Sequence, residues 1–444
     1  MVWYSSISFK HGAMPANPPR HGPRIFFIAG WAFVLAGCAA CAGAVTLEDC
    51  VSSALGASAA VASLRDQVQA SVYAYDKDRH GRWPALSLSD QASYATYKPG
   101  AFEPGSSLND GVDDMANAEL STDLQQWIAS PADLSRLDIQ RNRLLLDRAR
   151  AQLRHDVTQA FNKIMVLRLK ADERRRAASY MDSHNKDIRR LRALGLDVEL
   201  DLLRAGSQRT SLDLVAAAQD ADLQNSLAAL RSLTGMDLRP GDFQPDPAWL
   251  ASMTAEPGDP ATLVGRHLED TLQGQLTALD LASARMATRG TGPIAAPVLR
   301  AGLNHAFQAI DPATPVDQVY ASLTLNAFDW GRRASEGRQR ASEFTAQQKE
   351  TDDQLRQLRL TAGQLAVDLA AARKAYAISA ELLRDAQKGL DIAEAYYRQG
   401  KIKETDVLSV FSDFLNAEDQ QDGALQEVLD QRAEWEALWS GARP

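Results

Sequence analysis

AVDLAAARKAYAISAELLRDAQKGLDIAEAYYRQGKIKETDVLSVF, residues 366–411, decides the fold. Large apolar residues recur every seven positions at Leu369, Tyr376, Leu383, Leu390 and Tyr397, and small ones follow at Ala372, Ser379, Ala386 and Ala393. One large and one small seam residue per heptad marks a long helix packed closely against a neighbour. Gly400 interrupts the pattern, Lys401-Ile402-Lys403-Glu404-Thr405-Asp406 follows, and a second helical run starts at once. The stretch predicts a long helix, a tight turn at Gly400 and a long helix returning alongside.

The same plan occurs earlier. Leu191-Arg192-Ala193-Leu194-Gly195 precedes LDVELDLL, and Asp201 lies six residues after Gly195, as Asp406 lies six after Gly400. Ala118–Trp127 (AELSTDLQQW) matches Ala321–Trp330 (ASLTLNAFDW) at an offset of 203 residues. The chain therefore reads as an internal duplication of about 200 residues, far longer than solenoid repeats of ~20–50. Its halves are 45–235 and 262–440, with a Pro- and Gly-rich connector at 236–261. The first half is a helix from Thr46 to about Asp78, a β-hairpin over 85–127 and a helical hairpin over 132–234. The second is a helix from Thr262 to Thr288, a β-hairpin over 298–328 and a helical hairpin over 331–439.

Residues 1–44 hold Lys10, Arg20 and Arg24, no acid, and the apolar run Ile25–Gly37. That run is too short to span a bilayer and suits a signal-peptide core. Leu35-Ala36-Gly37-Cys38 resembles a lipoprotein box that would lipidate Cys38. Ala42-Gly43-Ala44 suits ordinary cleavage before Val45, and is the preferred reading because Thr46 opens a helix almost at once. Cys50 then stands alone in the mature chain, so no internal disulfide is expected. The formal charge is −9, and without the leader 45 basic side chains face 57 acidic ones. Such a balance disfavours a nucleic-acid-binding role. The histidines past the leader, His80, His155, His184, His267 and His305, are scattered, and no metal, phosphate-loop or nucleophile motif appears. The sequence gives no sign of an enzyme and calls for no cofactor.

The strands decide the functional class. Ala85–Tyr97 alternates, with Leu86, Leu88, Ala92 and Tyr94 on one parity and Ser87, Ser89, Gln91 and Ser93 on the other. A polar loop, Lys98–Asp114, separates it from a second strand at Ala118–Trp127; the second hairpin pairs Val298–Phe307 with Val319–Phe328. Open sheet edges are hazardous, and closure with other copies into a barrel removes them. Strands of this length cross an outer membrane when tilted. Trp83, Trp127 and Trp330 lie where strand meets helix, as an aromatic belt at one interface or as plugs of that junction.

These residues resemble the outer-membrane factor family, the TolC-like channel-tunnels. The resemblance covers about Thr46 to Trp439. It is carried by the repeat, the strand ending LTLNAFDWGRR (Leu323–Arg333), the tip YRQGKIKETDVLSV (Tyr397–Val410) and its partner LGLDVELDLL (Leu194–Leu203). It implies a mainly α fold with a small β part. Long antiparallel helical hairpins form a periplasmic α-barrel, and four strands per chain contribute to a trimeric twelve-stranded outer-membrane barrel. It implies a homotrimer in outer-membrane lipid, a periplasmic adaptor, an inner-membrane ABC or RND transporter, and cargo from protein toxins to drugs or metals. The family's constriction acid falls on Asp406; a second acid, expected three residues on, is Ser409 here, which weakens the acidic ring. Asp201 is the repeat mate of Asp406, read more readily as a helix cap, a role open to Asp406 as well. The turns at Gly195 and Gly400, with Lys401, Lys403, Glu404, Asp197 and Glu199, are the expected docking tips, unless those charges are simply solvated. Trp127 is followed by Ile-Ala-Ser-Pro rather than Gly-Arg, so the first elbow should be built differently. The rival class is a periplasmic coiled-coil scaffold or adaptor without a pore.

Overall fold

The computed structural model describes residues 45–81, 83–95, 111–123, 131–193, 199–245, 249–251, 268–288, 298–307, 316–324 and 330–440. Gly195, Asp197, Trp127, Cys38, His267 and the processing sites lie outside these residues. The first half runs α1 (Leu47–Ala57), α2 (Ala59–His80), β1 (Ala85–Ala95), β2 (Gly111–Asp123), α3 (Pro131–Ala193) and α4 (Glu199–Thr234). The second runs α5 (Leu272–Ala287), β3 (Val298–Phe307), β4 (Val316–Thr324), α6 (Arg332–Arg398) and α7 (Glu404–Trp439). Each half orders its elements as helix, strand, strand, long helix and shorter return helix. The long helices hold 63 and 67 residues and the returns 36 each. At 1.5 Å per residue, α3 and α6 are rods of about 95–100 Å.

Local chemistry sets the boundaries. Thr46 and Asp49 start α1 reciprocally: the Thr46 N–H donates to the Asp49 carboxylate at 3.1 Å, and the Asp49 N–H donates to Thr46 Oγ1 at 3.2 Å. The single helix expected from Thr46 to Asp78 is two, because Ser58 leaves helical geometry and its Oγ accepts from the Val61 N–H to start α2. In the second half α5 begins at Leu272 behind the Thr271 cap, and the expected start at Thr262 lies outside the described residues.

The four strands form one antiparallel sheet in the order β1-β2-β3-β4. The central pairing, from Asp114↔Phe307 to Asp123↔Val298, joins the two halves, which the separate hairpins of the sequence did not specify. β2 is described from Gly111, well before the expected Ala118, to Asp123, and the expected end at Trp127 lies outside the described residues. Pairing on both flanks satisfies its backbone whatever the polarity of Asp113 and Asp114, so composition disguised the strand. β4 likewise includes Val316, ahead of the expected Val319, and is described to Thr324; Phe328 lies outside the described residues.

The main core joins α1, α3 and α4 to the connector. Cys50, Val51 and Ala54 meet Val157, Phe161, Ile164 and Met165, then Leu223, Leu227 and Leu230, with Leu238 and Phe243 folded over them. Phe161 and Phe243 stack obliquely at 5.5 Å. Burial pushes the Cys50 thiol up to about 11, which makes it an inert core residue. A second cluster nearer the Gly400 turn joins Ala177, Met181 and Ile188 of α3 to Phe411 and Leu415 of α7.

Candidate functional site

The sheet presents two opposite chemistries. Its register places Leu86, Leu88, Ala118, Leu120, Leu299, Ala301, Leu303, Val319, Ala321 and Leu323 on one face. The large members are open, from 43% exposure at Leu299 to 80% at Val319. Asp90 shares this parity, the charged exception among the described side chains. The other face carries Ser87, Ser89, Gln91, Asn117, Glu119, Ser121, Arg300, Gln318, Tyr320 and Ser322. Here Ser87, Glu119, Gly302 and Tyr320 align across all four strands. Tyr320 lies over Gly302, where an added Cβ would come within 2.5 Å of its ring, and its hydroxyl donates to Glu119 at 2.7 Å. Arg300 stands 3.8 Å from the same carboxylate. The sheet thus has an apolar side without protein cover and a polar side with its own charge pairing. β1 and β4 each have one strand neighbour within the chain.

Trp83 and Trp330 are both exposed at the end of the sheet where the helices begin. Trp330 (φ 54°) and Gly331 (φ 79°) are successive left-handed residues that turn the chain from β4 into α6.

At the far end, α6 stops at a glycine turn. The Lys401 N–H donates to the Tyr396 carbonyl at 2.9 Å and the Gly400 N–H to the Tyr397 carbonyl at 2.8 Å, a Schellman closure that requires the φ of +67° at Gly400. Asp406 is exposed, and its carboxylate accepts from the Lys403 N–H at 3.1 Å. Its helix-capping role is therefore present within one protomer. Ser409, Lys401 and Lys403 are exposed, and Lys401 sits over the Tyr396 ring. Asp201 lies in the first turn of α4 with Arg204 3.7 Å away, and Glu199 is exposed beside it.

Glu404 is the departure. Expected as part of the docking tip or as a solvated charge, it is 2% exposed, with both carboxylate oxygens 2.8 Å from His184 Nε2 on α3. It therefore has no free carboxylate to offer a partner in this arrangement. Tyr180 stacks on His184 and on Phe411, and Tyr397 packs against the imidazole at 5.4 Å. Burial, with Glu404 next in weight, raises the Tyr397 phenol well above its ordinary value. This knot ties the α6–α7 turn to the first hairpin. Sequence reading could not pair residues 220 positions apart, although a lone acid just after a turn offered a faint signal.

A second feature escaped the sequence reading. Leu360, Val367, Ile378, Leu382, Ile392 and Tyr396 are all exposed on α6. At 3.6 residues per turn they fall on one stripe, about a third of a turn round the helix from the buried heptad of Leu369, Ala372, Ser379, Leu390 and Ala393. The spacing was present in the sequence, but it overlapped the stronger seam.

Among the described residues, no three His, Cys, Asp or Glu side chains cluster to hold a metal, and no helix is long and apolar enough to cross a membrane. No protein-family profile and no curated protein matches the chain. Solved structures do. The transmembrane channel CusC superposes with a TM-score of 0.70 at 13% identity, over 89% of this chain and 91% of that one. The open-state MtrE outer membrane channel of Neisseria gonorrhoeae gives 0.69 at 16%, over 89% of each chain. The Campylobacter jejuni CmeC outer membrane channel gives 0.64 at 16%, over 89% and 86%. The chain has the fold of these channels along nearly its whole length, as the TolC-like resemblance implied.

Proposed function

We propose that this chain is one protomer of a trimeric outer-membrane exit duct. It passes substrate from an inner-membrane transporter and periplasmic adaptor to the outside. The observation that carries this reading is the two-faced sheet: four strands with an uncovered apolar face, a polar opposite face and two open edges. In water such a sheet would aggregate through its edges. Closed with two other copies, the edges disappear, the apolar face meets lipid and the polar face lines a lumen. Trp83 and Trp330 then mark the membrane boundary nearest the helices. The α6 stripe gives the helical wall a neighbouring protomer to pack on. The duct performs no chemistry, and the partner transporter supplies the energy.

At the tip, three copies of Asp406 form the constriction while each also caps its own helix, and Ser409 leaves the ring with a single acid per chain. Gly195, Gly400, Lys401 and Lys403 form the adaptor-facing turns. Cargo is a protein delivered by type I secretion, or a drug or metal delivered by efflux. Mass spectrometry of the mature N-terminus bears on the choice: lipid on Cys38 favours drug efflux, and cleavage after Ala44 favours secretion.

The decisive test is single-channel conductance of the purified mature protein in a planar bilayer, beside its oligomeric mass in detergent. A trimer with small, steady, cation-preferring conductance is expected, and Asp406→Ala should relieve its block by multivalent cations. A protein that stays soluble without detergent and never inserts would overturn the reading in favour of a pore-less scaffold.

A further inference from the structure

The seam between α3 and α7 is apolar at both ends and ionic between them. Phe411, Leu415, Leu425 and Leu429 of α7 are buried in one row, and the two positions that complete its three- and four-residue spacing are Glu418 and Asp422. Phe411 and Leu415 meet Ala177, Met181 and Ile188 on the tip side; Leu425 and Leu429 meet Val166 on the far side. In the gap, Asp422 is 3% exposed and shares a hydrogen bond with Glu173 of α3. Two ionised carboxylates can only accept hydrogen bonds, so this contact requires a proton on one of them. Glu418 Oε2 is buried without a hydrogen-bond partner.

The surrounding charges offset these acids only in part: the largely exposed Arg176 stands 3.9 Å from Glu173. From α3, Lys170, Glu173, Arg174 and Arg176 face the layer. Arg174 is engaged by Asp419, on the half-exposed side of α7. From α6, Tyr376 faces Asp422, and Arg384 lines a cavity of about 630 Å³ that also reaches Glu173, Arg176 and Glu418. The cavity gives the buried layer a path to solvent protons.

We propose that Glu173, Glu418 and Asp422 form a proton-operated joint: protonated, the two helical hairpins stay docked along the whole seam, and deprotonation releases the tip-side segment, residues 404–417, from α3. The inference stands on the seam itself and does not depend on the channel reading. Burial, then the facing acid, raises the Asp422 carboxyl, and burial likewise raises Glu173. Burial pushes Glu418 up to about 7, against the opposing pull of Arg174. All three carboxyls are shifted upward, so the docked form holds protons that the separated form sheds. Docking is therefore fully favoured below about pH 4. It weakens progressively as the pH rises above that, and the contribution is gone once the pH has passed the raised values.

Hydrogen exchange of the full-length protein in detergent tests this at pH 6 and pH 9, with rates corrected for intrinsic chemistry. Peptides covering 404–417 should exchange at least about tenfold faster at pH 9, while those covering 157–165 in the main core stay unchanged. Asp422→Asn keeps a donor for Glu173 but cannot ionise, and should sharply reduce the rise, leaving only the part due to Glu418. Glu173→Gln should do the same from the other helix, and decides the matter if the first variant fails to fold. Asp419→Asn should retain the rise. The joint is overturned if residues 404–417 exchange independently of pH, if every segment accelerates equally, or if the Asp422→Asn and Glu173→Gln variants follow the wild type.

Discussion

α3 and α6 occupy equivalent places in the two halves and are nearly equal in length, yet they are buried differently. α3 hides large residues along its course, among them Leu146, Phe161, Ile164, Met165, Met181 and Ile188. α6 hides mainly small ones, Thr351, Ala362, Ala372, Ser379 and Ala393, with Leu369 and Leu390. The cause is position. α3 packs against α1, α2, α4, α5 and α7, whereas α6 packs against α7 and α5. A helix at the flank of a protomer keeps an unsatisfied face, and the exposed Leu360–Tyr396 stripe is that face. Duplicated sequence therefore did not yield duplicated roles: one copy became the internal axis of the chain and the other a flank with an exposed apolar stripe.

The sharpest way to break this contrast is to charge the α6 stripe. Val367→Asp with Ile378→Asp should convert trimers wholly to monomers by light scattering in detergent while leaving helix content unchanged. Persistent trimers would show that α6 is not the contact. Next in size, Glu404→Ala leaves His184 buried without its partner at the one place where the second hairpin's turn is tied to α3. A loss of about 3 kcal/mol is expected from chemical denaturation. Lys403→Ala, on the exposed neighbour, should stay within about 0.5 kcal/mol. In the monomeric background the two long helices can be compared directly. Met181→Ala in α3 should cost about 2–4 kcal/mol and Leu360→Ala in α6 under about 0.5. Equal costs would erase the distinction. At the turn, Asp406→Ala removes the cap at Lys403 and should cost about 1 kcal/mol by the same measurement.

Much of the architecture was legible. The Leu369–Tyr397 heptad is the inward face of α6, and Gly400 closes the helix as its left-handed geometry demands. Val298–Phe307 is a strand from end to end as read. β2 was displaced because ladder pairing from both sides overrides side-chain polarity. α1 and α2 were fused because a serine that interrupts a helix and restarts it keeps the apolar rhythm going. At the tip, Asp406 and Lys403 lie on the surface as their composition suggested, but Glu404, one position from Lys403, does not. Charge type cannot report burial when the compensating group comes from a distant helix.

The sequence by itself determined the elements with periodic signals: two repeats, long helical hairpins, the Gly400 turn and amphipathic strands. These follow from short-range geometry, in which side-chain spacing dictates which face is apolar. The tertiary structure alone decided how the repeats join. It set the β2–β3 pairing, the His184–Glu404 tie, the acidic layer between α3 and α7, and the assignment of α3 to the interior and α6 to the flank. Each depends on groups brought together from far along the chain, where burial and pairing, rather than residue type, fix what a side chain does.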